Sequence, residues 1–437
     1  MLLALMGLAA AQDAEREFPV QASVHGDLKT FFVATLPYEN ELLQDFGVLP
    51  ADPTAQGIVD GRLKVELEAG RWRFQGHHAV TALTPSPALS VSSSGVGLTA
   101  PQALDLSWRA WEDQDLGDTA MALQGRTDRL NLAATVGPAR ITAGRQPVSL
   151  GNGLAFAPLD LVNPFFPSTI DQEYKPGVDA LRVDLYFGFS TQITAVAAYA
   201  WNDTIPDAID AEDDWLIDGM VYALYAQRTF GRHDIGAMVA EVRGDEVFGL
   251  TLASYAGPVG LTSDVTFTLP ADPDDEDPFF RGSVGAMWRP GAKTTLIGEF
   301  YYQSLGVQKP ANYLVQLSGD RYARGELWLA GRPYAMVAVT QEILPILFLN
   351  ASLIGNLQDP SGLGTLSLEW SVSDNVSVAA GAMLGLGERP DELEFEDLLD
   401  PDTGLPYQDE ELMRNLGVNS EFGFYPSSVF LQARTYF

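Results

Sequence analysis

The sequence predicts an all-β fold, a transmembrane antiparallel β-barrel of about eighteen strands with short periplasmic turns and long extracellular loops. Three observations carry that prediction. Strand-length segments with apolar residues at every second position recur along most of the chain. The turn signals between them largely alternate, tight and then long. The final strand, Val429 to Phe437, alternates up to an aromatic carboxy-terminal residue, which resembles the assembly signal of bacterial outer-membrane proteins.

Composition narrows the classes. With 26 Lys+Arg against 58 Asp+Glu, the formal net charge of −32 excludes nucleic acid as a partner, because phosphates demand a basic surface. Cysteine is absent, so the chain has no disulfide, thiolate metal site or thiol nucleophile. The opening MLLALMGLAAAQ is an apolar run closing on Ala9-x-Ala11, which predicts a signal peptide over 1–11, truncated at its positive end, and a single barrel over 12–437. No later stretch reaches the ~20 consecutive apolar residues of a membrane helix.

Taken in order, spanning strands are predicted at 20–35, 57–68, 71–82, 119–136, 139–150, 178–188, 191–202, 216–230, 233–243, 247–256, 259–269, 279–289, 293–304, 325–342, 346–357, 363–372, 375–387 and 420–437. In Gly61 to Glu68 the odd positions are small or apolar and the even ones charged. After Ala69-Gly70, Trp72, Phe74 and Val80 alternate with Arg71, Arg73, Gln75 and His77, so one face is dry and the other wet. Ala103–Trp111 is strand-like but breaks the parity of later turns, which places it in an extracellular loop. Pro333 and Pro426 fall inside predicted strands, where proline removes a ladder donor. Trp201, Trp215, Trp288, Tyr301-Tyr302 and Tyr436-Phe437 lie near strand ends, as an interfacial girdle requires.

Parity assigns side chains to the lumen. If apolar positions meet lipid, then Lys29, Arg62, Lys64, Arg71, Arg73, Arg129, Arg182, Arg281 and Arg434 point inward, with Asp27, Glu66, Glu68, Asp184, Glu241 and Glu299. Two readings of that wall stand: an ion-paired lining, or an arginine ladder that passes anionic sugars by repeated weak pairing. The acidic stretches, Asp272 to Asp277 and the loop 388–418, face outward. Asp274, Asp275 and Asp277 are candidate Ca²⁺ ligands, against the alternative of plainly solvated loops, and no cofactor is otherwise implied. No G-x-S-x-G occurs and His77 and His78 have no acid and nucleophile beside them, so the chain is not expected to be an enzyme.

One stretch interrupts the strands. Ala143 to Asp179 is too rich in Pro and Gly for a helix and too apolar for a linker. It leaves the barrel at Gly151-Asn152-Gly153 and returns at Val178. Leu154, Phe156, Leu159, Leu161, Val162, Phe165 and Phe166 would be bare in water at the mouth, so 151–177 is expected to fold onto or into the lumen as a constriction or lid, or to pack on the wall as a buttress.

The residues Gly144-Arg145-Gln146, Gly151-x-Gly153, Pro158-x-Asp160, Asn163-Pro164-Phe165 and Glu173-Tyr174-Lys175-Pro176-Gly177-x-Asp179 resemble the alginate-export type of outer-membrane barrel and related exopolysaccharide-secretion porins; Thr127-Asp128-Arg129-Leu130 fits the same pattern. The resemblance implies a passive eighteen-stranded conduit in the bacterial outer membrane, with an arginine-lined constriction, gating loops and a periplasmic polysaccharide-export protein as partner. On that basis the expected function is export of an acidic or neutral polysaccharide, with Arg129, Arg145, Lys175 and Arg182 near the constriction. The alternative is a general or substrate-selective porin for small solutes. Outer-membrane lipid and lipopolysaccharide complete the expected partners.

Overall fold

The computed structural model describes residues 19–45, 49–84, 106–112, 122–162, 174–199, 219–274, 276–323, 325–400 and 407–437. The predicted signal peptide, Trp201, Trp215, Pro164, Phe165 and Phe166 lie outside them. The strands are β1 (Gln21–Leu36), β2 (Thr54–Ala69), β3 (Trp72–Leu83), β4 (Ser107–Glu112), β5 (Ala122–Val136) and β6 (Ala139–Gln146). They continue as β7 (Val178–Phe187), β8 (Thr191–Tyr199), β9 (Met220–Phe230), β10 (His233–Val242), β11 (Asp245–Ala256) and β12 (Val259–Leu269). The remainder are β13 (Phe279–Trp288), β14 (Thr294–Gln303), β15 (Pro333–Leu344), β16 (Leu347–Asn356), β17 (Ser361–Ser373), β18 (Val376–Leu386) and β19 (Ser427–Tyr436).

Neighbours pair antiparallel, and β1 pairs with β19 from Asp27↔Tyr436 to Leu36↔Ser427, so the sheet closes on itself. Closure leaves no edge for another chain to extend. Gly26 and Phe437 exchange backbone hydrogen bonds of 2.7 and 2.9 Å at the seam. The barrel proper has eighteen strands, because β3 takes one edge of β5 along its length and short β4 pairs only with the top of β5, beyond the reach of β6. Its position in the β3–β5 connection agrees with a loop strand that does not span. The prolines mark strand starts: Pro333 is the first residue of β15, and Pro426 precedes β19. Both predicted strands therefore began too early.

Outward residues are apolar around the barrel, among them Leu28, Phe32, Leu63, Leu130, Leu181, Leu224, Val239, Leu250, Val284, Val337, Leu366 and Leu431. In water such a belt would be a large penalty; against acyl chains it is the stable arrangement. Trp72, Phe187, Phe230, Tyr255, Trp288 and Trp370 are exposed close to the tight turns and form one girdle. Two predicted girdle members face inward instead, since Tyr301 is buried against the lumen contents and Tyr436 shares the parity of lumenal Gln432. Glu241 is also corrected: it pairs with Tyr222 and Glu246 on the outer, exposed face of β10.

Candidate functional site

The loop 147–177 is called L3 here, and its described residues, 147–162 and 174–177, turn into the barrel. Its outward leg buries Val148, Leu150, Leu159, Leu161 and Val162 against Val178, Val196, Val221, Tyr225, Met238 and Val247 on the inner face of β7–β11. Five apolar residues leaving water give this docking its drive, at about 25 cal/mol per Å².

L3 then runs on to the adjoining wall of β12–β14, where carboxylates hold its backbone. Asp264 on β12 accepts from the amides of Asn152 (2.7 Å) and Gly153 (2.9 Å). Glu299 on β14 accepts from Leu154 (3.2 Å), Ala155 (2.6 Å) and Phe156 (3.0 Å). Successive amides converging on one anion satisfy donors that an irregular buried segment would otherwise waste. Phe156 stacks on Tyr301 with centroids 4.8 Å apart, and Arg281 donates to the carbonyl of Pro158 at 3.2 Å. Arg281 is therefore a clamp on L3, not a rung facing open lumen.

The root of L3 is built from the motif residues. Gly144 has φ +107, and a Cβ there would lie 2.3 Å from the carbonyl of Leu130, so only glycine fits. Gln146 donates to the carbonyls of Thr142, Gly144 and Ala180. Arg145, its side chain sealed from solvent, grips Asp179 through two bonds of 3.0 and 2.9 Å and donates to the carbonyl of Thr127 at 3.1 Å. Lys175 pairs with Asp160 (2.5 Å) and Ser149 (2.8 Å) across the two legs of the loop. Burial pushes the Asp160 carboxyl up and the Lys175 ammonium down, each opposed by the other's charge.

Opposite L3 the wall of β1–β3 and β5 is charged. Arg62 lies between Asp128 (3.1 Å), Asp27 (3.7 Å) and Asp60 (3.7 Å), Lys64 pairs with Asp27 (2.6 Å), and Arg73 with Glu66 (2.8 Å) and Glu68 (3.3 Å). A β-bulge adds to it. His77 faces Arg129 and His78 faces Thr127, so Asp128 has no opposite residue and both Asp128 and Arg129 turn inward. Into this wall L3 returns Tyr174, whose ring lies 3.9 Å from the Arg62 guanidinium and 4.5 Å from that of Arg129, with its hydroxyl 2.6 Å from Nδ1 of His77. Burial raises the Tyr174 phenol.

The four residues expected at the constriction thus separate. Arg129 donates to the carbonyl of Lys175 at 2.5 Å, and Arg145 lies beside them but inside the packing. Arg182 sits opposite Thr142, three residues below Arg145, about 10 Å along the strand, where it pairs with Asp184 at 2.9 Å. Arg71 is at the tight turn beside Trp72, and Arg434 bonds Gln432 (2.8 Å) near Glu369 (3.9 Å). Asp275 lies outside the described residues, and among these no acidic cluster is arranged to hold a metal ion.

The loop 304–332, here L7, faces L3 from the mouth. Arg321 pairs with Asp245 (2.7 Å), Glu276 (2.6 Å) and Glu326 (3.0 Å), and Arg243 also pairs with Glu326. These carboxylates raise the Arg321 guanidinium further above its usual range. The final loop 387–426 supplies Glu421, buried among the hydroxyl of Tyr334 (2.5 Å), the amide of Ala330 (2.8 Å) and Asn356 (2.7 Å). Burial pushes its carboxyl up to about 7.

No family model and no curated protein matches the chain. Solved structures do. OccAB3 of Acinetobacter baumannii aligns over 95% of this chain and 99% of its own, with TM-score 0.53 and 10% identity. A BenF-like porin of Pseudomonas fluorescens aligns over 96% and 99%, with TM-score 0.52 and 10% identity. Pseudomonas aeruginosa OccK2, solved in complex with glucuronate, aligns over 95% and 98%, with TM-score 0.51 and 9% identity. At these identities the likeness is one of fold, and it does not extend to the alginate-export type. The closed antiparallel sheet, its lipid-facing belt and these neighbours make the chain a bacterial outer-membrane β-barrel of porin architecture.

Proposed function

We propose that this barrel is a substrate-selective porin for small solutes, with a preference for solutes carrying a carboxylate. The observation that carries the reading is L3: it covers the inner wall continuously from the apolar face of β7–β11 to Asp264 and Glu299 on β12 and β14, which leaves the conduit to the side lined by β1–β3 and β5. That side carries Lys29, Arg62, Lys64, Arg73 and Arg129, of which Lys64 and Arg73 are part-exposed and offer N–H groups that suit a carboxylate. The inner face of β15–β17, with Thr340, Asn350, Ser352, Thr365 and Ser367, offers hydroxyls and an amide to the rest of a polar solute. The glucuronate in the OccK2 complex is a solute of this chemistry. The loop is a constriction in this reading, and the protein is a channel, not a catalyst.

Polysaccharide export, with its periplasmic partner, is the weaker reading. The motif that suggested it forms the root of an infolded loop, with Gly144, Arg145, Gln146 and Asp179 bonded to the barrel's own backbone and to each other. Such a root serves any narrowed barrel, whatever its cargo. Liposome swelling tests the proposal: uptake should fall steeply from mono- to oligosaccharides, and glucuronate should enter faster than glucose. Equal rates for short oligosaccharides and monosaccharides would sink it.

A further inference from the structure

The charged wall contains an imbalance. Arg62 has three carboxylates within 3.7 Å, whereas Arg129 makes no ion pair among the described residues. Among the described residues its guanidinium donates to the backbone carbonyls of Asp128 (2.8 Å) and Lys175 (2.5 Å), and its face is covered by the Tyr174 ring. Arg129 is almost wholly buried, at 7% exposure, so little water compensates the charge. An aromatic face is a weak partner for such a cation compared with a carboxylate, which would add charge-assisted hydrogen bonds.

Tyr174 is held as a ligand would be. Its ring lies between two guanidinium groups with the Lys64 ammonium 5.5 Å from its centre, and its hydroxyl meets His77, which sits 3.5 Å from Glu66. The backbone beside it is fixed independently, because the Lys175 carbonyl is held by Arg129 and the Lys175 ammonium by Asp160 and Ser149. The ring can therefore leave by side-chain rotation while the loop root stays in place.

We propose that Tyr174 is a removable side-chain cap over an anion site centred on Arg129, and that it sets how strongly the channel discriminates between anions and cations. The occupant of the uncapped site is a small anion bearing a carboxylate, or chloride in its place. This inference rests on the porin reading only in requiring a water-filled path past the charged wall. It adds to that reading a residue that tunes the path by competing for the same cation as the solute.

Reversal potentials of the full-length protein in planar bilayers, under a potassium chloride gradient, test it without any organic solute. Tyr174→Ala and Tyr174→Leu should raise the chloride-to-potassium permeability ratio at least about two- to fivefold, the lower bound of what a cation–π contact is worth. Tyr174→Phe, which keeps the ring and loses the bond to His77, should shift it less. Adding Arg129→Gln to Tyr174→Leu should return the ratio to the wild-type value. An unchanged ratio in both ring-less variants would overturn the proposal, as would a rise that survives Arg129→Gln. A barrel that assembles only with an aromatic at position 174, judged by heat-modifiable mobility, would make Tyr174 a structural strut and overturn it too. Glucuronate flux through the same proteins separates the two readings: no preference for glucuronate with a raised chloride ratio removes the solute assignment and leaves the cap, and the converse removes the cap alone.

Discussion

The inner wall differs between its two halves. On β1–β3 and β5 the lumenal positions carry charge, with Asp27, Lys29, Asp60, Arg62, Lys64 and Arg73 opposite apolar outer neighbours. On β7–β11 many lumenal positions are apolar as well, including Val178, Val196, Val221, Met238 and Val247, because L3 covers them. A barrel strand that alternates cleanly faces water within, and one apolar on both faces has protein within. The contrast therefore maps where solute can travel and where the loop is seated.

Substitutions on the apolar side should have the largest effects. Leu159 is fully buried against Gly249 on β11, so Leu159→Asp would leave an unpaired charge in an apolar site, at a cost of several kcal/mol. L3 should undock, and single-channel conductance should rise sharply. Leu159→Ala should weaken docking by about 3 kcal/mol, read as faster amide exchange at Asn152 to Phe156 with a smaller conductance change.

Glu421 lies outside both halves, bonded to Tyr334 on β15 and Asn356 on β16. Its folded pKa of about 7 lies above the ordinary value of 4.5, so the junction of 387–426 with L7 is most stable below pH 4.5 and weakens as pH rises through 7. The loss should approach about 3 kcal/mol, seen as falling amide protection in 304–332. Glu421→Gln should flatten that dependence. A smaller effect is expected from Glu299→Gln, which keeps an acceptor but removes the charge from three hydrogen bonds. About 1–2 kcal/mol of docking should be lost, detected as added current noise with little change in mean conductance. Least of all, Arg73→Gln breaks part-exposed pairs with Glu66 and Glu68 worth under about 1 kcal/mol, so stability should hold and only a salt-sensitive fall in anion preference should be measurable.

The same contrast explains what could be read from sequence. Where the inner face is charged, alternation has a sign: Arg62, Lys64, Arg73 and Arg129 follow directly from the exposed leucines and aromatics between them. On β10 Met238 and Val239 are both apolar, the sign is lost, and Glu241 goes to the wrong face. The apolar runs Ile193–Tyr199, Met220–Ala226 and Ile235–Ala240 were the available signal for a docked loop. Asp264 was legible too, as a carboxylate alternating with Val265 and Phe267. The bulge at Asp128 was not, since an extra residue in a ladder leaves no mark in composition. Nor was the position of Tyr174 between Arg62 and Arg129, which depends on the path of L3 through space.

The tethers of L3 join residues 111 to 145 positions apart, linking a loop between the sixth and seventh strands to β12 and β14. During biogenesis the segment Asn152 to Phe156 has no carboxylate to hold it until those later strands have zipped into the growing sheet, so its seating is a late step with high contact order. Until then Phe156 has no Tyr301 to stack on, while Leu159 can already dock on β7–β11. The nascent barrel thus completes its filter only on maturation, and an assembly defect in β12–β14 would reach the cell as a leaky envelope before it registered as a missing protein.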